Sequence, residues 1–377
     1  MARTSSESIV RDLLQAAGIE INGSNPWDLQ VLDRRFYDRL LREPHLTMGE
    51  GYMHGWWECE AIDQLAARVV LARLDERLKG NWKVGLHILR SRLFNLQTSG
   101  RAFEVGRRHY DIGNDLYRAM LDRRLSYTCG YWRNATTLDD AQEAKLDLVC
   151  RKIGIFPGMR ILELGCGWGS FAKYAAERYG ARVLGVTVSA QQVALGTELC
   201  KGLPVELRLQ DYRDVDGTYD AVVSIGIMEA VGYKNYRTYM DVASRCLKKD
   251  GIAFVHTIGG NESVTSTDPF AHAYLFPNGM LPSIAQLAKA MEDRFVVEDW
   301  HNIGPHYDPT LMAWCANFDR AWPDLKGAYD ERFRRMWRYY LLGSAGGFRS
   351  RGKQVWQIVM THHGTPQPDC RFGEAAR

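Results

Sequence analysis

The amino-acid sequence predicts an α/β protein with a doubly wound, mostly parallel β-sheet and a small all-helical N-terminal domain. From about residue 140, short apolar runs alternate with helical stretches, which is the pattern of a parallel sheet with helices on both faces. The first hundred residues place apolar side chains at helical spacing instead, and the polar stretch QTSGR at 97–101 separates the two parts. We therefore expect two domains, 1–100 and 101–377.

Four helical stretches are predicted in the N-terminal domain. Residues 8–18 present their apolar side chains on one face. The second helix is expected to begin with Asn25 as the N-cap and Pro26 at the first helical position, where a proline is tolerated. Residues 59–79 and 81–97 show the same helical spacing and complete the domain.

The second domain is predicted to alternate helices and strands. Helices are expected over 138–153, 170–179, 189–201 and 236–247. Strands are expected over 159–164, 181–188, 205–210, 219–225, 251–258 and 353–361. A long insertion rich in aromatic residues and proline separates the last two strands.

The lengths of the apolar runs and the spacing of the cysteines limit where the protein is expected to act and whether it binds a metal. No stretch reaches the ~18 consecutive apolar residues of a membrane span, and the N-terminus has no apolar signal core. We therefore expect a cytoplasmic protein. The eight cysteines are scattered without a Cys-x-x-Cys pair, which argues for reduced thiols and against a zinc site, so no bound metal is expected.

The net charge is only +3, but the charge is distributed unevenly. Residues 77–108, here called the basic segment, hold eight lysines and arginines against the single acid Glu104. Trp82 and several leucines are interleaved with them at helical spacing, which is typical of a helix at an anionic membrane surface. The basic segment belongs to no recognisable nucleic-acid-binding module, and we expect no nucleic-acid partner.

The stretch ILELGCGWGSF places Gly165, Gly167 and Gly169 directly after the first predicted strand of the sheet. A phosphate-binding loop would end in Gly-Lys-Ser/Thr, and a dinucleotide fingerprint would need a glycine at Ser170, so neither pattern is met. Glu163, just before the glycines, suits a ligand that carries an ammonium or sulfonium group. The pattern therefore predicts S-adenosylmethionine, a nucleoside with a positively charged tail and no phosphate.

Polar residues at the ends of the next strands support this ligand in part. Asp211 follows the third strand, where a carboxylate can accept a hydrogen bond from the adenine amino group. The usual ribose-binding acid after the second strand is absent, and Thr187 stands there, with Gln191 or Gln192 available for the missing contact. The alternative is a plain tight turn, with Asp211 and Gln192 on the solvated surface.

Seven segments along the chain share their pattern with one known family. They are RRHYDIGNDLYRAML (107–121), LSYTCGYW (125–132), LELGCGWGSFAKYAA (162–176), SIGIMEAVG (224–232), FVHTIGG (254–260), YLFPNGMLPS (274–283) and GPHYDPTLMAW (304–314). Together they resemble the cyclopropane-fatty-acyl-phospholipid synthases and, more distantly, the mycolic acid cyclopropane synthases and methyltransferases. The resemblance spans essentially the whole chain, including the helical N-terminal domain that distinguishes the phospholipid enzymes.

This resemblance implies a class I S-adenosylmethionine-dependent methyltransferase fold and a defined reaction. The sulfonium methyl group is transferred to a cis double bond of a phospholipid acyl chain, and loss of a proton from the new methyl group closes a cyclopropane ring. In this family a bicarbonate ion is the base, and its ligands carry over to Cys129, Glu229, His256, the backbone of Ile258, and Tyr307. We also expect a homodimer that associates peripherally with anionic lipid at the inner face of the membrane.

The resemblance further assigns contacts to S-adenosylmethionine. They are Tyr127, Thr128, Glu163, Gly165, Cys166, Gly167, Trp168, Gly169, Thr187, Gln192, Asp211 and Tyr212. The insertion with Phe270, Tyr274 and Phe276 would line an apolar acyl tunnel or else form an ordinary aromatic core. Many relatives carry a cysteine where this chain has Ser344, so a mechanism that requires a thiolate there is not supported.

Two other kinds of function remain open at this point. One is a methyltransferase that stops before ring closure and leaves a branched or methylene product, or that methylates a small amine. The other is a non-catalytic lipid- or nucleotide-binding protein, which the glycine loop together with Glu229, His256 and Tyr307 disfavours. The basic segment favours a lipid substrate over a small amine.

Overall fold

The computed structural model describes residues 5–74 and 113–372, and these form two compact units. The helical unit comprises residues 5–74, Ser266–Pro277 and Tyr307–Lys353. The sheet unit comprises residues 113–265, 278–306 and 354–372. The C-terminal third of the chain thus contributes to both units. The boundary predicted at 97–101 and the whole basic segment lie outside the described residues.

The elements before residue 75 are α1 (Ser6–Gln15), β1 (Gln30–Val31), α2 (Arg35–Arg42), α3 (Pro44–Met53), β2 (Trp57–Glu58) and α4 (Ile62–Leu71). Those from residue 113 to the middle strand of the sheet are α5 (Asn114–Met120), α6 (Leu138–Lys152), β3 (Arg160–Leu164), α7 (Ser170–Tyr179), β4 (Arg182–Thr187), α8 (Ala190–Leu199), β5 (Val205–Leu209) and β6 (Tyr219–Ile225). The remainder are α9 (Met228–Val231), α10 (Tyr236–Cys246), β7 (Leu247–Gly260), α11 (Pro269–Tyr274), α12 (Ile284–Met291), β8 (Val296–Asn302), α13 (Tyr307–Leu325), α14 (Glu331–Arg349) and β9 (Lys353–Thr361).

The second predicted helix is present only in its second half, as α2, and its predicted start at Asn25 and Pro26 is wrong. Asp28 is buried, and its carboxylate accepts hydrogen bonds from the backbone N–H groups of Glu20 and Asn25, both at 2.8 Å. Short polar side chains that bond nearby backbone groups favour turns over helices. The chain therefore turns here and continues into β1, which pairs with β2 as a two-stranded antiparallel sheet that the all-helical prediction lacked.

The third predicted helix is present in part. It begins at Ile62 rather than Cys59, because the chain just before it is extended in β2. The remainder of this prediction beyond residue 74, and the helix predicted over 81–97, lie outside the described residues.

Two long helices, α13 and α14, complete the helical unit and were not predicted. Asp330 caps α14 by accepting a hydrogen bond from the Phe333 N–H at 2.7 Å. At the other end of α14, Arg349 donates to both carboxylate oxygens of Asp308 in α13, at 2.8 and 2.9 Å. Gly346 allows α14 to approach α4, since a Cβ there would lie 2.3 Å from the Asp63 carbonyl oxygen.

The sheet unit contains seven strands in the order β5-β4-β3-β6-β7-β9-β8. The pairs from β5 through β7 are all parallel, and β8 is antiparallel to β9 at the edge. This arrangement confirms the predicted doubly wound, mostly parallel sheet. The sequence missed β8, whose residues VVEDWHN are mostly half-buried or exposed and have no apolar run.

Successive residues of β3 are buried on opposite faces of the sheet. Leu162 packs in one core with Met240 of α10, and Ile161 packs in the other with Phe171 of α7. Because β3 is parallel to both of its neighbours, the carboxyl ends of these strands meet at one edge. In doubly wound sheets this edge is where ligands bind.

Within the described ranges, no helix combines the length and apolar character needed to cross a bilayer. The same residues contain no group of three or more His, Cys, Asp or Glu side chains arranged to hold a metal ion. All eight cysteines fall in the described ranges, and each is buried with a free thiol.

Candidate active site

A cavity of about 150 Å³ lies at the carboxyl edge of the sheet, where β3, β4, β5 and β6 end. It is lined by eleven of the twelve residues predicted to contact S-adenosylmethionine: Tyr127, Thr128, Glu163, Gly165, Cys166, Gly167, Trp168, Thr187, Gln192, Asp211 and Tyr212. The twelfth, Gly169, is the N-cap of α7 and packs against Cys200 and Leu207. Residues from four separate chain segments are thereby brought to one site.

The glycines of the loop between β3 and α7 are needed for different reasons. Gly165, with φ +81°, faces protein, because a Cβ there would lie 2.5 Å from the Ile227 Cδ1 atom. Gly167, with φ +54°, would meet no protein atom within 4 Å, although it lines the cavity. Only Gly167 therefore leaves space that a ligand could use, whereas Gly165 serves the packing of the loop.

Glu163 is the last buried carboxylate before the glycines and is only 3% exposed. One of its oxygens, Oε2, has no hydrogen-bond partner among the described residues. Burial raises the pKa of this carboxyl to about 8, and the nearby Lys145 ammonium opposes that rise. A cationic ligand group beside Glu163 would stabilise its ionised form, because an opposite charge favours the carboxylate.

At the end of the cavity where β4 and β5 terminate, the predicted contact residues are hydrogen-bonded to other protein groups. The Thr187 hydroxyl donates to the Gln192 side-chain oxygen at 2.7 Å. Asp211 accepts two hydrogen bonds from Arg213, one from the backbone N–H at 2.9 Å and one from Nη1 at 2.7 Å. Arg213 also lines the cavity and was not anticipated from the sequence. These predicted ribose and adenine contacts are thus fixed in place by the protein itself.

The loop that carries Tyr127 and Thr128 is held by buried polar side chains that were not predicted from the sequence. On α6, Gln142 donates to the Thr128 carbonyl oxygen at 2.7 Å, and Lys145 donates to the Thr128 hydroxyl oxygen at 2.9 Å. Asp122 accepts from the Ser126 N–H at 2.8 Å. The available signal was the three-residue spacing of Gln142 and Lys145, which places both on one face of a helix.

Glu229, in the short helix after β6, is brought to the end of β7. Its Oε1 atom accepts a hydrogen bond from the Ile258 N–H at 2.5 Å, while Oε2 has no partner among the described residues. Burial raises the pKa of the Glu229 carboxyl to about 7. At neutral pH this group can therefore either hold or release a proton, which suits a residue that exchanges protons with a ligand.

His256 lies on β7, paired with the last residue of β6, and is buried. Burial lowers the pKa of its imidazole well below the usual range, and the Lys145 ammonium acts in the same direction, so the ring is neutral. Its Nδ1 atom is 3.5 Å from the Gln357 side-chain nitrogen. Cys129, next to Thr128, is buried too, and its thiol contacts the Gly130 carbonyl oxygen at 3.2 Å.

The remaining predicted residues belong to the helical unit. Tyr307 begins α13, and its ring packs 4.7 Å from that of Phe348. Phe270 packs on Tyr274 at 5.1 Å between ring centroids. Phe276 and Ser344, which lies in α14, are also in this unit. Eleven of the predicted cofactor residues therefore line one cavity of the sheet unit. Cys129, Glu229, His256 and Ile258 belong to the same unit, whereas Tyr307 belongs to the other.

Known proteins share this sequence and fold. Residues 97–358 match the family described as mycolic acid cyclopropane synthetase. A cyclopropane-fatty-acyl-phospholipid synthase of Escherichia coli (strain K12) is 49% identical over 353 residues, covering 94% of this chain and 92% of the relative. A tuberculostearic acid methyltransferase of Mycobacterium tuberculosis is 31% identical over 353 residues, covering 87% of this chain and 81% of the relative.

A solved structure extends the likeness to three dimensions. The mycolic acid cyclopropane synthase CmaA1, complexed with SAH and CTAB, matches with a TM-score of 0.64 at 31% identity, covering 68% of this chain and 97% of that chain. The family match covers more than half of the chain, and a relative of nearly equal length is close to half identical. The chain belongs to the mycolic acid cyclopropane synthetase family of S-adenosylmethionine-dependent enzymes.

Proposed function

We propose that this chain transfers the methyl group of S-adenosylmethionine to the cis double bond of an unsaturated acyl chain in a membrane phospholipid and then closes a cyclopropane ring. The observation that carries the proposal is the 49% identity, over 94% of the chain, to a cyclopropane-fatty-acyl-phospholipid synthase. The cavity lined by Gly167 and Asp211 supports the choice of methyl donor, because it spans four strand ends without a phosphate-binding loop.

The proposed reaction takes place in two steps, methyl transfer and ring closure. The alkene electron pair forms a bond to the sulfonium methyl carbon as the carbon–sulfur bond breaks, which leaves a cation on the other alkene carbon. Loss of a proton from the new methyl group then supplies the electron pair that closes the ring. A neutral alkene is a weak nucleophile, so orientation and exclusion of water must supply much of the rate enhancement.

We propose that Cys129, Glu229, His256, Ile258 and Tyr307 form the proton-accepting side of the site, with bicarbonate as the bound base. When bound, bicarbonate would accept the proton of the new methyl group. Glu229 fits this role, because its Oε2 atom is buried without a partner among the described residues and its pKa of about 7 lets it donate a hydrogen bond to an anion. The neutral His256 can donate one further hydrogen bond. Ile258 contributes through its N–H, which donates to Oε1 of Glu229 and so holds that carboxyl group in position.

A second candidate is a methyltransferase that stops before the ring forms. The relative of Mycobacterium tuberculosis named for tuberculostearic acid, at 31% identity, favours it. Lipid analysis of cells that express the chain separates the two functions. We expect monounsaturated acyl chains to gain the mass of one methylene group and to lose their olefinic proton signals. A gain in mass with olefinic protons retained would support the second candidate.

We also propose that the protein acts as a peripheral membrane enzyme at the inner face of the membrane and as a homodimer. The basic segment supports the first part, because each Lys or Arg near an anionic leaflet contributes about 1 kcal/mol, screened by salt. The family resemblance supports the homodimer.

The test of the membrane anchor replaces three cations of the basic segment. Replacing Lys83, Arg90 and Arg92 with Gln should lower binding to anionic vesicles and leave the affinity for S-adenosylmethionine unchanged. Equal vesicle binding of variant and parent would exclude this segment as the anchor.

A further inference from the structure

Lys145 is a buried cation whose charge is not neutralised by a bonded carboxylate. It is 1% exposed, and its ammonium donates to the Thr128 hydroxyl oxygen at 2.9 Å. No carboxylate among the described residues lies within ion-pair distance of it, and Asp122 and Glu163 attract its charge only at longer range. Lys152, two turns later on α6 and equally buried, is instead paired with Asp299. A buried ammonium is costly unless it is paired, so the two lysines of one helix have different roles.

The polarity of the bond between Lys145 and Thr128 fixes the direction of the threonine hydroxyl. An ammonium can only donate, so the Thr128 oxygen accepts and its own hydrogen is left to donate elsewhere. Thr128 cannot rotate freely, because its carbonyl oxygen accepts from Gln142 and its methyl group packs against Gly226. Lys145 and Thr128 both line the cavity. This wall of the cavity therefore offers a positive charge and an oriented hydroxyl donor.

The same end of the cavity also holds a carboxylate. Glu163 lines it at the end of β3, with Oε2 unpartnered among the described residues. One cation with a donor and one carboxylate thus face the same space. An α-amino-acid group, with one carboxylate and one ammonium, has the complementary pair of charges. The adenine and ribose contacts proposed at Asp211 and Thr187 lie at the other end, so the methionine part of S-adenosylmethionine would reach this one.

We propose that Lys145, by orienting Thr128 and supplying positive charge, selects the carboxylate of the methionine end of S-adenosylmethionine, while Glu163 faces its ammonium. This inference rests on the binding of S-adenosylmethionine in the cavity, which is part of the proposed function. Lys145 acts partly through Thr128 and is a positioning residue. Charge-assisted hydrogen bonds are about twice as strong as neutral ones, so the pair can discriminate between ligands with and without the carboxylate.

The test compares two ligands by isothermal titration calorimetry on the full-length protein. One is S-adenosylmethionine, and the other is its decarboxylated analogue, which keeps the sulfonium and the amine. We expect Lys145→Met to weaken binding of S-adenosylmethionine by at least ~10-fold, the loss of about 1.4 kcal/mol, and binding of the analogue by less than ~2-fold. Thr128→Val should reduce the same preference, and Thr128→Ser should keep it.

Lys152→Met is the matched control, because it removes an equally buried ammonium from the same helix outside the cavity. We expect it to lower the thermal stability and to leave the ratio of the two dissociation constants unchanged. An equal loss of affinity for both ligands in Lys145→Met and Thr128→Val would overturn the proposal, as would a parent protein that binds both ligands alike. If Lys145→Met does not fold, the ligand preference of Thr128→Val decides the test by itself.

These affinities, taken together with the lipid analysis of the expressed protein, separate this inference from the proposed function. If the parent protein makes cyclopropane lipids but the ligand preference survives in both cavity variants, only the role of Lys145 is wrong. If the variants lose the preference but the parent makes no cyclopropane lipid, the carboxylate contact stands and the proposed reaction is wrong.

Discussion

The hydrogen bonding of buried polar side chains differs between the two ends of the cavity. At the end below β4 and β5, Thr187 bonds Gln192, and Asp211 accepts two hydrogen bonds from Arg213. At the end below β3 and β6, Glu163 lines the cavity and keeps one oxygen without a partner among the described residues. Glu229, in α9 just after β6 and outside the cavity lining, does the same. The side chains of Thr187, Gln192 and Asp211 are thus bonded within the protein, although the Tyr212 hydroxyl beside them has no partner among the described residues. The burial of the Glu163 and Glu229 carboxyl groups is less fully compensated. Uncompensated buried polar groups are expected where a charged ligand or a reaction completes them.

The largest expected effect comes from closing the open space at Gly167. Gly167→Val should weaken S-adenosylmethionine binding by ~10³-fold, about 4 kcal/mol, because the side chain would occupy the ligand's space. Gly154→Val is the matched control, since Gly154 also has a positive φ of +60° and no atom within 4 Å of a Cβ but does not line the cavity. Both variants should lose similar stability in thermal unfolding. Comparable calorimetric affinities in the two variants would show that Gly167 is required only for its backbone conformation.

Glu229→Gln tests the role of the buried carboxyl group whose Oε2 atom has no partner among the described residues. Glutamine keeps an acceptor for the Ile258 N–H but cannot exchange a proton, so turnover should fall by at least ~10²-fold, as for other positioned proton-transfer groups. The affinity for S-adenosylmethionine should change by less than ~2-fold. The measurement is product formation on vesicles of a cis-monounsaturated phospholipid, at saturating methyl donor. Near-parental turnover would remove Glu229 from the mechanism.

Glu163 should make the stability of the ligand-free protein depend on pH. Its pKa is raised by burial from 4.5 to about 8, so the folded state binds the proton more tightly than the unfolded state does. The resulting stabilisation is complete below the unfolded pKa and is lost as the pH rises through the folded pKa. Denaturation between pH 4.5 and about 8 should show the free energy of unfolding falling, and Glu163→Gln should remove about 1–4 kcal/mol of that fall.

The control for that experiment is Glu198→Gln on the exposed face of α8, which should change the free energy of unfolding by less than about 0.5 kcal/mol at any pH in the series. If Glu163→Gln follows the same curve as the parent protein, titration of Glu163 is not the source of the pH dependence.

The smallest effect is expected at Asp211, at the end of the cavity where β4 and β5 terminate. Asp211→Asn keeps an acceptor for the Arg213 N–H but weakens the carboxylate's contact with an adenine amino group. We expect the KM for S-adenosylmethionine to rise by ~10-fold, about 1.4 kcal/mol, with kcat nearly unchanged. A fall in kcat as large as that of Glu229→Gln would mean that the two ends are not functionally separate.

Most of the sheet was predictable because strands such as β4 and β6 contain apolar runs bounded by turn residues. The strands 219–225 and 353–361 and the helix 170–179 match their predicted bounds. The start predicted for the second helix at Asn25 was wrong because Asp28, a buried carboxylate, binds backbone groups across a turn. The edge strand β8 was missed because it is neither apolar throughout nor regularly alternating.

The candidate site was predictable only where a backbone requirement marks it. Gly165 and Gly167 need positive φ values, and that requirement is visible as a glycine spacing. Lys145 and Gln142 were missed because a lysine and a glutamine on an amphipathic helix usually face water. Their burial follows from the contact of α6 with the loop at Ser126 and Thr128. Their three-residue spacing shows that they share a helix face, but it does not show that this face is buried.

The most direct test of the proposed activity uses S-adenosylmethionine whose methyl group carries deuterium. The purified protein is incubated with this donor and with vesicles of a cis-monounsaturated phospholipid, and the product is analysed by mass spectrometry and proton NMR. We expect the transferred carbon to lose one deuteron and the olefinic protons to disappear, because the new methyl group supplies the proton and closes the ring. A product that keeps every deuteron or retains an alkene would contradict the proposed cyclopropane synthase activity.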